Sequence, residues 1–188
     1  MSKKYQIIYA DPCWDYKGQT QHAGEKSSDT GGAIKHYPTM TLKELKELKP
    51  MIDELADENC LIFMWSSSPH LDQAIELLKA WGFDYSTIAF VWDKKRVNPS
   101  FYTMSQCEIC IVGKKGKIPQ PRGERNIRQF VSEMRGKHSK KPNEVRKRIE
   151  LMFPKQKKLE LFAREKVDGW DSLGNEIDGY DLRRILPI

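Results

Sequence analysis

The stretch Tyr5-Gln6-Ile7-Ile8-Tyr9-Ala10-Asp11-Pro12-Cys13-Trp14 runs from an apolar segment into an Asp-Pro turn. Its first six residues are nearly all apolar, as in a strand buried on both faces of a parallel sheet. Asp11-Pro12 then ends the strand, because proline fixes its own φ and cannot donate to a ladder. Four further apolar runs lie at residues 60–65, 87–92, 107–112 and 159–163. Helical patterns separate them. Thr41, with Glu44 three residues on, has the form of a capping box, and Leu42, Leu45, Leu48, Ile52 and Leu55 follow at helical spacing. Pro50 is expected to kink or split that helix. Ser68-Pro69 caps a second helix, with Leu71, Ile75, Leu78 and Trp81 on one face and Gly82 as its stop. Pro142 opens a third, with Val145, Ile149 and Met152 inward, Arg146, Lys147 and Arg148 largely outward, and Pro154 at its close. Strands alternating with helices of this length predict an α/β fold, a mostly parallel twisted sheet with helices on both faces.

The chain has 188 residues, 32 basic and 26 acidic, for a net charge of +6. That length predicts a single domain over residues 1–188. Hydrophobic residues at 39 % exclude wholesale disorder. No apolar run has the length of a membrane span, and Met1-Ser2-Lys3-Lys4-Tyr5 leads into a strand without a secretory segment, so a soluble, cytoplasmic protein is expected. Four cysteines make no disulfide scaffold. Cys107-Glu108-Ile109-Cys110 has the spacing of half a zinc site, but residues three apart on a strand face opposite ways and no second pair completes the ligand set. No metal is expected.

Three polar segments are long enough to act as functional loops: 17–36, 94–106 and 114–128. Ligands of open α/β sheets bind beyond the carboxyl ends of the strands. The first loop follows strand one directly, which puts the site at Asp11. There, the Asp11 carboxylate and the Pro12 carbonyl are two acceptors in a stiff turn, and Trp14 offers a flat face. The group fits an exocyclic amino group with its two N–H donors. A strand-ending turn with a core tryptophan is the alternative reading.

Asp11-Pro12-Cys13-Trp14 resembles the Asp-Pro-Pro-aromatic signature of amino methyltransferases, and the chain as a whole is similar to the MT-A70-like family. The likeness continues in order through His36-Tyr37-Pro38-Thr39-Met40, Leu61-Ile62-Phe63-Met64-Trp65, Trp81-Gly82-Phe83, residues 107–115 and His138-Ser139-Lys140-Lys141-Pro142. It ends in Glu160-Leu161-Phe162-Ala163-Arg164 and Gly169-Trp170-Asp171-Ser172-Leu173-Gly174-Asn175-Glu176.

The resemblance implies a Rossmann-like methyltransferase domain with permuted motif order, the amino clamp first and the cofactor segment last. It implies S-adenosylmethionine as cofactor and the exocyclic N6 of adenine as acceptor. Asp11 and the Pro12 carbonyl would accept from the amino group, favouring a pyramidal nitrogen whose lone pair is freed from the ring, with Trp14 as stacking wall. Neither a metal nor a covalent intermediate is implied. Cys13 stands where the family has a second proline, so the acceptor survives while rigidity is lost. Lys141 matches the lysine that holds the cofactor's methionine carboxylate, just before a helix N-terminus that also favours an anion. Phe162 and Arg164 match the wall facing the adenosine, Asn175 and Glu176 the ribose contacts, and Tyr37 an aromatic near the target base. Lys166 and Val167 stand where relatives often have polar ribose contacts. Longer relatives carry a segment upstream of strand one, which is not expected here.

Positive charge concentrates in Lys94-Lys95-Arg96, Lys114-Lys115-Gly116-Lys117 and residues 122–128 and 135–148, with Trp92, Phe101, Tyr102 and Phe130 nearby. Basic segments with aromatic rings suit a nucleic-acid backbone, so Lys94, Lys95 and Arg96 are expected to bind substrate. Adenine must be flipped out of a duplex, or be single-stranded, to reach Asp11, and the 17–36 loop is the candidate lid. DNA is the expected substrate. RNA, a non-catalytic nucleic-acid-binding subunit of the same fold, and methylation of a small molecule or protein glutamine are the alternatives. The chain is expected to be a monomer or a homodimer.

Overall fold

The structure, a computed structural model, describes residues 3–15, 39–99, 102–136, 140–174, 177 and 182. Seven strands form one sheet: β1 (Tyr5–Ala10), β2 (Ala56–Ser66), β3 (Asp84–Asn98), β4 (Ser105–Lys115), β5 (Phe130–Ser132), β6 (Lys158–Leu161) and β7 (Asp171–Leu173). Their spatial order is β5-β3-β4-β2-β1-β6-β7. β4 runs antiparallel to both of its neighbours, β2 and β3. All other pairs are parallel. The sheet is therefore mixed, mostly parallel, as predicted.

The helices are α1 (Leu42–Glu47), α2 (Lys49–Leu55), α3 (Leu71–Ala80) and α4 (Asn143–Met152). Side chains alternate across β1 and so feed two cores. Ile8 and Ala10 pack with Leu45, Ile52 and Leu78 of α1, α2 and α3. Ile7 and Tyr9 pack with Val145 and Ile149 of α4 on the other face. Helices thus cover both faces. None of the described helices is long and apolar enough to cross a membrane.

Local signals act as their chemistry dictates. The Thr41–Glu44 capping box is formed in both directions, and Pro50 divides the expected helix into α1 and α2, sitting in the first turn of the second. Gly82 ends α3 at φ +84°, and the buried Trp81 next to it donates from Nε1 to the Leu45 carbonyl at 2.8 Å.

Some expectations need correction. Ser67, not Ser68, caps the segment before α3, which begins as a 3-10 turn over Ser68–His70. The Ser67 hydroxyl contacts His70 Nδ1 at 2.8 Å instead of the backbone. Much of the expected 94–106 loop is strand, because β3 extends to Asn98 and β4 begins at Ser105, antiparallel to it. Likewise β4 continues through Lys115 into the segment expected to be a second loop. β6 stops at Leu161 and does not reach Ala163. Arg146 is buried, not outward, since its guanidinium meets Glu160 on β6. Arg148 is half-buried and donates from Nη1 to the carbonyls of Arg128 and Phe130, holding edge strand β5 against α4.

Candidate active site

The topology brings distant residues to one edge. β1 and β2 end there together, with Ala10 beside Met64, and β6 ends there too, with Leu161 beside Ala10. β4 runs the other way, so its first residues reach the same edge. Ile109 pairs with Ser66, Glu108 with Trp92 and Cys107 with Asp93. Asp11, Trp65, Phe162, Glu108 and Lys94 therefore gather beyond the carboxyl end of β1. The strand order also changes direction here: β1 leads through α1 and α2 to β2 on one side, while α4 on the opposite face leads to β6 on the other.

A chain of alternating charges spans this edge. Lys141, from the segment before α4, places Nζ 2.9 Å from Asp11 Oδ1 and 3.0 Å from Glu108 Oε2. Glu108 Oε1 in turn lies 3.3 Å from Lys94 Nζ. The Lys141 ammonium also stands 5.6 Å from the centroid of the Trp65 ring. Side-chain exposures of 15 % for Lys141 and Glu108 and 22 % for Asp11 leave these groups reachable yet shielded. Burial by itself would depress the Lys141 pKa, but the charges and hydrogen bonds of Asp11 and Glu108 raise it above the ordinary lysine value. Burial pushes Glu108 up, and Lys141 and Lys94 together more than reverse that, leaving it below the ordinary carboxylate value.

The turn after β1 is held by main-chain bonds. The Trp14 N–H donates to the Pro12 carbonyl at 2.9 Å, Met40 N–H to the Cys13 carbonyl at 2.8 Å, and Asp15 N–H to the Met40 carbonyl at 3.1 Å. This pairing ties the backbone of residues 13–15 to Met40. A carbonyl has two lone pairs, so the Pro12 oxygen keeps one for a further donor. Trp14 is 5 % exposed, its ring stacked on His70 at 5.7 Å and 18° and its Nε1 donating to the Trp65 carbonyl at 3.3 Å. It is packed into the core, as the alternative reading had it. Burial, the largest effect on His70, lowers its pKa and favours a neutral ring under Trp14.

Phe162 follows β6 with φ +59°, a left-handed conformation that costs a non-glycine residue about 1–3 kcal/mol. Such strain often marks functional sites. The partly buried Phe162 packs against the core of the α1–α3 face. Arg164, two residues further along the chain, is half-buried. Gly174, which precedes Asn175 and Glu176, passes so close to this segment that an added Cβ would lie 2.1 Å from the Ala163 carbonyl oxygen. Asn175, Glu176 and Tyr37 lie outside the described residues. Lys94 is buried inside β3, whereas Lys95, at φ +52°, and Arg96 are exposed near the hairpin tip. Asp93 organises that tip, accepting from Lys95 N–H at 2.9 Å, Gln106 Nε2 at 2.6 Å and Ser132 Oγ at 3.0 Å.

Sequence reasoning missed Glu108, and with it the link between Lys141 and Lys94. The signal was a carboxylate inside the apolar run 107–112, since a buried charge requires a partner.

The sequence model of the MT-A70 family matches residues 5–176. The chain is 48 % identical over 185 residues to the Type II methyltransferase M.MunI of Mycoplasma sp, covering 93 % of this chain and 78 % of that protein. It is 30 % identical over 188 residues to the N(6)-adenosine-methyltransferase MT-A70-like of Arabidopsis thaliana, covering 94 % of this chain and 24 % of the relative. It is 28 % identical over 189 residues to the N(6)-adenosine-methyltransferase catalytic subunit METTL3 of Homo sapiens, 95 % of this chain and 29 % of the relative. The chain thus spans most of the first relative and only a quarter or so of the other two.

Proposed function

The chain belongs to the MT-A70 family of methyltransferases, and on that premise we propose that it methylates the exocyclic N6 amino group of adenine in DNA, with S-adenosylmethionine as donor. The observation that carries the reading is the 2.9 Å contact between Lys141 and Asp11, which joins the amino-clamp turn to the cofactor lysine. Relatives named as N(6)-adenosine-methyltransferases support the amino acceptor. DNA is favoured over RNA because the Type II methyltransferase is matched over 78 % of its length and the adenosine enzymes over far less.

The side chains at the edge suit the cofactor. Its methionine end carries a carboxylate and an ammonium, and the site sets one ammonium between two carboxylates. Lys141 has three N–H donors, and Asp11 and Glu108 engage two, which leaves the third for an incoming carboxylate. Lys141 would hold that carboxylate, Phe162 and Arg164 would face the adenosine, and Asn175 and Glu176 would take the ribose hydroxyls. When bound, the cofactor supplies an electrophilic methyl group.

Asp11 and the remaining lone pair of the Pro12 carbonyl would accept the two amino N–H bonds of the target base. Acceptors so placed favour a pyramidal nitrogen with its lone pair available for attack. Orientation of this kind is the chain's main contribution to rate. The short ladder between residues 13–15 and Met40 fixes the turn that carries both acceptors. Trp14 supports this turn from the core. All 188 residues would serve as one methyltransferase domain.

The test is transfer of labelled methyl from S-adenosylmethionine to adenine-containing DNA and RNA, comparing the natural chain with Asp11→Ala. Label is expected as N6-methyladenine in DNA, and to fall by about a hundredfold or more in the variant. Undiminished transfer by Asp11→Ala would remove the clamp from the mechanism, and label confined to RNA would reassign the substrate.

A further inference from the structure

Arg146 and Glu160 form a second ion pair near the site that takes no part in the chemistry proposed above. Arg146 is in the fourth position of α4 and 9 % exposed, while its neighbour Lys147 faces solvent. Its guanidinium forks onto Glu160, Nε to Oε2 at 3.1 Å and Nη2 to Oε1 at 2.9 Å. Nη1 turns back to Asn143 Oδ1 at 3.3 Å, at the first residue of the helix, and lies 3.7 Å from Glu165 Oε1. Glu165 also pairs with Lys140 at 2.8 Å.

A buried ion pair is a poor device for stability, because desolvating two charges cancels most of their attraction. The location of this one points elsewhere. Pro142 caps α4 without a side-chain hydrogen bond, so the first turn lacks the usual N-cap anchor. Glu160 pairs in register with Tyr9, two residues before Asp11 on β1 and two before Phe162 on its own strand. The Arg146 guanidinium stands 5.9 Å from the Tyr9 ring centroid. The Tyr9 hydroxyl accepts from Trp65 Nε1 at 2.6 Å, and the Trp65 ring is the one that Lys141 faces. The fork therefore fastens the first turn of α4 to β1 and β6 just below the edge where Asp11 and Phe162 leave the sheet. Lys141, two residues ahead of that turn, is carried with it.

We propose that Arg146 is a positioning residue: through its fork on Glu160 it sets where Lys141 stands against Asp11, and so the affinity of the site for the methionine end of the cofactor. The inference rests on the cofactor reading above. Lysine cannot replace it, because a point charge on a flexible stem lacks the bidentate geometry of the guanidinium.

The test is binding of S-adenosylhomocysteine to the full chain by titration calorimetry, with thermal unfolding measured in parallel. Arg146→Met combined with Glu160→Leu removes both charges and keeps side-chain bulk, which buried pairs generally tolerate. It is expected to unfold near the natural temperature yet bind about tenfold more weakly. In turnover assays the KM for S-adenosylmethionine should rise with little change in kcat. Arg146→Lys, which preserves the charge, should keep the fold and also bind more weakly. Natural affinity in either folded variant would overturn the positioning role and leave the cofactor reading intact. A natural chain that bound no S-adenosylhomocysteine would overturn the cofactor reading itself, and the inference with it.

Discussion

Lys141 Nζ sits 2.9 Å from Asp11 Oδ1 and shares its charge with Glu108 Oε2 at 3.0 Å. One ammonium thus holds together carboxylates delivered by the end of β1 and the beginning of β4. Its raised pKa keeps it charged across the neutral range.

Replacing it should expose the repulsion that it masks. In Lys141→Met the Asp11 and Glu108 carboxylates lose the ammonium they share, and only Lys94 remains beside Glu108, so the pair should take up a proton closer to neutrality. Binding of S-adenosylhomocysteine is expected to weaken at least tenfold, about 1.4 kcal/mol. What remains should fall further as pH rises through the new titration, whereas the natural chain should show no such dependence. Calorimetric titration at several pH values measures both effects.

Glu108 gives an acid-side prediction. Its folded pKa lies below the ordinary glutamate value of 4.5, because Lys141 and Lys94 outweigh its burial. A depressed carboxylate stabilises the fold fully above its unfolded pKa, and that stability is lost as pH falls through the folded value. The natural chain should lose unfolding free energy as pH drops below 4.5, and Glu108→Gln should lose less over the same interval. At pH 7 the variant should be less stable by about 3–5 kcal/mol, since buried Lys94 is left without its carboxylate. Urea unfolding across the range reads both, and equal acid slopes in the two proteins would count against the pairing.

Gly174 is held to glycine by backbone, not by a movable side chain. A Cβ there would meet Ala163 O at 2.1 Å and Ala163 N at 2.4 Å, while the Ala163 N–H donates to the Leu173 carbonyl at 3.0 Å. Gly174→Ala should part β7 from the end of β6 and cost about 1–3 kcal/mol. Gly136→Ala is the control, with nothing within 4 Å of the added carbon. Thermal unfolding should fall several degrees in the first variant and stay unchanged in the second.

The structure bears out the parts of the sequence whose signals are local. Five apolar runs marked five strands, and the capping box, Pro50 and Gly82 marked helix ends. β5 and β7 were missed because Phe130-Val131-Ser132 and Asp171-Ser172-Leu173 are too short to carry a period. The direction of β4 depends on the length of its connection to β3. Residues 99–104 can turn a hairpin but cannot make the dozen-residue crossover that a parallel strand needs. The reading of a longer loop at 94–106 hid that constraint, and with it the arrival of Glu108 at the site. Arg146 was assigned outward by helical spacing alone, but the carboxylate of Glu160 in an otherwise apolar strand end gave a buried arginine a place to go. Asp11 and Lys141 were each legible as site residues through family motifs, but their ion pair was not, because their meeting depends on how strands are ordered and not on any local pattern.

The hairpin tip supplies the last prediction. Lys94 is committed to Glu108 inside the sheet, so on the proposed DNA reading the phosphate contacts of this segment would fall to Lys95 and Arg96, both exposed. Each phosphate neutralised releases counterions, and the slope of log affinity against log salt is about −0.9 per contact on duplex DNA. Lys95→Ala and Arg96→Ala should each weaken DNA binding and flatten that slope by about one unit. S-adenosylhomocysteine affinity should stay natural in both, because the tip lies beyond the charged chain that ends at Lys94. Lys94→Ala should behave differently, lowering stability through Glu108 while leaving the salt slope almost unchanged. Fluorescence anisotropy of a labelled duplex over a range of salt separates the two patterns. A salt slope that fell as far for Lys94→Ala as for Arg96→Ala would show that the buried lysine, too, reaches the nucleic acid.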